Sequence, residues 1–159
     1  MTDCESPKEE AVFIKVANLP PQYQKGYDFI NDPRLADITI GIVPDEAWEK
    51  GDQPSESDAE KGLILFKKSY YEGNDDIGWM VHELSHCQRY KNEPNTYQKD
   101  SGGTYPDNKV EAFAFLQQFK YLKERGRTRE EITEMLIGEG GNYDENDMPF
   151  FNKLLDQVF

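Results

Sequence analysis

The chain has 159 residues and carries 31 acidic against 18 basic side chains, a formal net charge of −13. That length suits a single domain burying roughly two-thirds of the surface its unfolded form exposes, enough to hold a fixed site without disulfide staples. The acidic balance leaves no basic stripe for a phosphate backbone, which argues against nucleic-acid binding, and no apolar run reaches the length of a membrane span.

The opening "MTDCESPKEE" is polar and acidic, without the basic start and apolar run of a secretory signal, and residues 1–8 are expected to be flexible. Cys4 and Cys87 are separated by most of the chain, so no structural bridge is expected, and the reading is a cytoplasmic protein. In "EEAVFIKVANLPPQYQKGYDFIND" Phe13, Val16 and Ala17 stand at helical spacing, although "AVFIKV" suits a strand equally well. After Pro20 and Pro21, residues Tyr23, Tyr27 and Ile30 share one face of a helix.

"ADITIGIVP" alternates, with Ile38, Ile40 and Ile42 on one side, and predicts a half-buried strand closed by Pro44. Residues 44–62 read as a charged, exposed connection with one helical turn near Trp48 and no sign of chemistry. "GLILFKKSYY" predicts a second strand over residues 62–71. With Asp75 or Asp76 as cap, Ile77, Met80, Val81, Leu84 and Tyr90 then recur at helical intervals to about Lys91.

Residues 92–106 predict a loop, and Asp107 or Asn108 caps a long helix ended by Gly126. Thr128 and Glu131 form a capping box for a shorter helix. The tail "DMPFFNKLLDQVF" aligns Phe151, Leu154, Leu155 and Val158. It reads either as the last core helix or as an apolar terminus able to cover a cleft, within a C-terminal helical segment over residues 127–159.

Both histidines of the chain lie in "WMVHELSHCQRY", residues 79–90, four positions apart on the predicted helix. Residues one turn apart on a helix project from one face, so His82 and His86 can aim two imidazoles at one point, a set that suits Zn²⁺. Glu83, rotated off that axis, is placed to act as general base toward a zinc-activated water rather than as a ligand. A catalytic zinc wants a third protein ligand. With no further histidine, Glu111 in the first turn of the next long helix is the best candidate, and Asp107, Asp100 and Glu93 are the fallbacks. Tyr97, Tyr105 and Tyr143 are candidate donors to a developing oxyanion. Cys87 points away from the motif face and reads as core, while Cys4 reads as a terminal thiol that could at most reach the metal.

"HELSH" followed by "YPDNKVEAFAF" resembles the gluzincin metallopeptidases, most closely their small single-domain members, the minigluzincins, some of which are latent proenzymes. The resemblance covers roughly residues 36–125. It implies an α+β, zincin-like fold with a short, mostly antiparallel sheet packed on an active-site helix and a glutamate helix, and further helices at both ends. It implies His82, His86 and Glu111 as zinc ligands, Glu83 as base, and the strand around residues 62–71 along the top of a cleft where a peptide adds as a further strand. The expected activity is that of a zinc endopeptidase acting on peptides or proteins, latent or active. The alternative is a catalytically silent, zinc-containing module that binds a peptide without turning it over.

Overall fold

In the computed structural model, which describes residues 10–51, 53–73, 77–100, 108–138, 141 and 143–159, the ambiguous N-terminal segment is a strand. This strand, β1 (Val12–Lys15), pairs antiparallel with β2 (Thr39–Val43), setting Val12 opposite Ile42 and Lys15 opposite Thr39. The described residues form seven α-helices and one four-stranded mixed sheet, an α+β arrangement. Residues 1–8, Cys4 included, lie outside them. Helix α1 (Pro21–Ile30) opens with proline at its first position, where a missing N–H costs nothing, and closes on Asn31 in the left-handed region.

The segment read as an exposed connection contains a strand. Residues Ser55–Asp58 form β3, antiparallel to β4 (Leu63–Lys67), with Ser55 opposite Phe66 and Asp58 opposite Leu63. "SESD" carries no strand propensity, and pairing with an apolar neighbour overrides it. The turn between them is tied by Asp58 Oδ1, which accepts from the Lys61 amide, and by Gly62 at φ 65°. The sheet order is β1-β2-β4-β3, with β2 and β4 parallel. The strand expected along the cleft, residues 62–71, is therefore interior, and β3 holds the edge.

That strand also ends early, at Lys67, where α2 (Lys68–Gly73) begins. Asp45 supplies the reason, because its Oδ1 accepts the Ser69 amide at 3.0 Å and so caps the new helix from just beyond the end of the paired strand β2. Residues 92–106, read as a loop, include α4 (Pro94–Asp100), opened by Pro94 in the first turn.

Helix α3 (Gly78–Asn92) carries the motif and has Ile77 at its N-cap position with no side-chain cap, while Asp75 and Asp76 lie outside the described residues. All ten residues from Gly78 to Cys87 are buried, because β3, α1 and α5 (Lys109–Glu124) each pack against the helix. Gly26 lets the α1 backbone come close, since a Cβ there would stand 3.2 Å from Val81 Cγ2. Cys87 is core as expected, and burial pushes its thiol up to about 12.

Helix α5 is capped by Asn108 and followed by Gly126 at φ 89°. Thr128 and Glu131 make the predicted capping box of α6 (Arg129–Ile137). The tail forms α7 (Met148–Val158), and of its two readings the core helix holds: Phe151 and Leu155 are fully buried, with the Phe151 ring 5.0 Å from Phe115 of α5. No helix among the described residues is long and apolar enough to cross a membrane.

The C-terminal end of α3 is tied down by Asp32, which accepts from the Arg34 amide, from both ends of its guanidinium at 3.0 and 2.7 Å, and from Gln88 of α3 at 3.2 Å. The Arg34 hydrogen bonds hold this carboxyl down at about 2. A carboxyl with a depressed folded-state pKa adds stability above its ordinary value and loses it as pH falls through the depressed one. Replacing Asp32 by Asn is expected to cost about 1 kcal/mol near neutral pH, a modest figure because Arg34 is half-exposed. The difference from wild type should close as pH falls toward about 2, as denaturant titrations across pH would show. Phe151→Ala should cost about 3–5 kcal/mol by the same measurement.

Candidate metal centre

The helical spacing of the motif brings His82 and His86 together as expected, their Nε2 atoms 3.3 Å apart. Glu111 arrives from α5 and bridges them, with Oε2 3.0 Å from His82 Nε2 and Oε1 3.2 Å from His86 Nε2. Its place is set by the cap, because Asn108 Oδ1 accepts the Glu111 amide at 2.9 Å and so fixes the first turn that presents the carboxylate. Among the described residues these three form the group able to hold a metal ion. Of the fallback ligands, Glu93 is exposed beyond the end of α3, while Asp107 and the side chain of Asp100 lie outside the described residues.

Burial alone would raise the Glu111 carboxyl, but hydrogen bonds from both imidazoles hold it well below the ordinary glutamate range. For His86, burial works against the proton, and the Glu111 carboxylate outweighs it, leaving the imidazole above its ordinary value. Glu111 thus sets one carboxylate oxygen against each imidazole nitrogen.

Each imidazole is also held from behind. His82 Nδ1 lies 3.0 Å from Gln118 Oε1, and Gln118 is fully buried. Gln118 stands seven residues after Glu111, two turns along the same face of α5, so one helix addresses both nitrogens of one ring. An acceptor at Nδ1 suits the tautomer that carries its proton there, in which Nε2 would be the nitrogen open to a metal, and Nε2 here lies against Glu111. The rings of Trp79 and Phe115 pack against His82 at 4.8 and 4.5 Å. His86 Nδ1 faces the Tyr97 hydroxyl at 3.4 Å.

The triad lies at a cleft of about 240 Å³ bounded by β3, the motif helix and the start of α5. Glu83 lines it, is 5% exposed, and accepts a 2.6 Å hydrogen bond from Ser55 Oγ. Of the three candidate tyrosines, Tyr97 stands behind His86 and lines the cleft, Tyr143 lines it too and packs against Phe115 and Phe151, and Tyr105 lies outside the described residues. From residues 127–159 only Tyr143 lines the cleft among the described residues, so α7 does not fill it. Sequence reasoning missed Ser55, which sits in a segment without apolar pattern, and Gln118, which the seven-residue spacing from Glu111 could have found.

In a tetrahedral zinc site with bonds of about 2.0–2.1 Å, ligand atoms stand about 3.3–3.4 Å apart. The His82–His86 separation of 3.3 Å matches one edge of such a tetrahedron, and Glu111 meets the two nitrogens through different oxygens at 3.0 and 3.2 Å, with one ligand atom from each residue within 4.8 Å of the others, so the group could hold a metal ion. No protein-family model, curated protein or solved structure matches this chain, and the chemistry of the site is carried by its geometry.

Gln118→Met keeps the volume and removes the acceptor behind His82. Metal binding at the triad, titrated with Zn²⁺ against a chromophoric chelator, is expected to be weakened by about 10–100-fold, with the helical circular dichroism preserved.

Proposed function

We propose that this chain is a zinc-dependent peptidase of gluzincin type, with His82, His86 and Glu111 as ligands and Glu83 as general base. One observation carries the reading. Two imidazoles of a motif helix and the first-turn carboxylate of a second helix close on one point in a cleft, and the motif's remaining carboxylate lines the same cleft. The motif helix α3 and the glutamate helix α5 both follow the sheet in chain order, with α4 between them, an arrangement in keeping with a zincin-like fold.

A bound zinc ion supplies Lewis-acid polarisation of the scissile carbonyl and makes a water acidic enough to lose a proton near neutral pH. Glu83 takes that proton and hands it to the leaving amine. His82, with Gln118 accepting at Nδ1, and His86, backed by Tyr97, keep their Nε2 atoms directed at the point Glu111 also faces. Tyr97 and Tyr143 are the described tyrosines that line the cleft, and they are the candidates to donate to the carbonyl oxygen as charge develops on it. The substrate is an extended peptide that pairs main chain to main chain with the outer edge of β3. Recognition through backbone rather than chain ends suits an endopeptidase.

Glu83→Gln separates this reading from a silent zinc module that only binds peptides. The variant should keep about one zinc per chain by elemental analysis while cleavage of a diverse peptide mixture falls by about 10²–10⁴-fold. A silent module would show zinc but no turnover in the wild type, and the substitution would change nothing measurable.

A further inference from the structure

The inner face of the sheet changes character at its edge. Ile40 on β2 and Ile64 and Phe66 on β4 are fully buried beneath the sheet. Opposite residues in an antiparallel pair share a face, so Ser55, opposite Phe66, and Ser57, opposite Ile64, continue that inner face on β3 with hydroxyls. At 5% exposure, Ser55 occupies a place where an isoleucine or valine would bury far more apolar surface. A buried hydroxyl needs a partner, and the one Ser55 has is the motif carboxylate that is not part of the ligand triad.

The contact is specific in form. Ser55 Oγ stands 2.6 Å from Glu83 Oε2, within the short range of an O–H donor to a charged carboxylate oxygen. The terminal torsion of a glutamate is broad and nearly two-fold, so without a fixed donor the two oxygens would exchange places freely. We infer that Ser55 is the positioning residue for the general base: it holds Oε2 of Glu83 against β3 and leaves Oε1 to receive and deliver the proton. This rests on the peptidase reading. It adds that β3 has two tasks, since the strand whose outer edge receives the peptide also sets the base, and peptide register and base orientation then share one rigid reference.

The test compares wild type with Ser55→Ala and Ser55→Thr, each loaded with zinc and assayed on a peptide the wild type cleaves. For Ser55→Ala the expected result is kcat lower by about 10–100-fold at nearly unchanged KM, with zinc content still about one per chain. Ser55→Thr, which keeps the hydroxyl, should recover most of kcat. A Ser55→Ala protein with unchanged kcat overturns the inference and leaves the peptidase reading standing. So does one that raises KM alone, which would make Ser55 a peptide contact, and so does one that loses zinc or fails to fold, which would make it structural. A zinc-loaded wild type that cleaves nothing overturns the peptidase reading and this role with it.

Discussion

A helix that buries two imidazoles and a carboxylate on consecutive turns must supply a partner for their polar atoms, because each one left unpaired in the interior costs about 1–3 kcal/mol. The surroundings of α3 follow from that requirement. The sheet edge turns polar where it passes Glu83, α5 carries a glutamate and a glutamine on the face that meets His82, and α4 brings a tyrosine hydroxyl to His86. Ser85, also fully buried in the motif, bonds within its own helix to the Val81 carbonyl.

Apart from Gln118, the buried residues of α5 are aliphatic or aromatic, which lets one set of contacts serve both stability and site. Helix α5 shows this within two turns. Ala114 and Phe115 are fully buried against the core, and Glu111 and Gln118 flank them on the same face. A small residue brings the helices close, an aromatic one packs against the imidazole edge at 4.5 Å, and the acceptors then stand at hydrogen-bond distance. Displacing either helix would break apolar contacts and polar pairs together, so the core's packing energy also stiffens the triad.

Much of this was legible in the sequence where the determinants are local. The capping box at Thr128, the Asn108 cap, the isoleucine alternation of β2 and the four-residue histidine spacing each depend on neighbours within a turn or two, and each appears where it was read. What escaped depends on contacts between distant segments. Asp45 ends a strand by capping a helix 24 residues later, and "SESD" becomes a strand because β4 offers it an unpaired edge. Ser55 meets Glu83 across 28 residues, and no periodicity announces a single buried hydroxyl. The motif helix read as apolar residues recurring at helical intervals, whereas every residue from Gly78 to Cys87 is buried by the elements around it, a property of its neighbours and not of its own pattern.

The apolar tail has a different bearing on the site from the one a cleft-covering terminus would have. Phe151 of α7 stacks edge-on to Phe115 at 5.0 Å, and Phe115 in turn meets His82 at 4.5 Å. Two ring contacts therefore connect the last helix to an imidazole of the triad, along a path buried throughout. The packing of the last helix thus reaches that imidazole through these two rings.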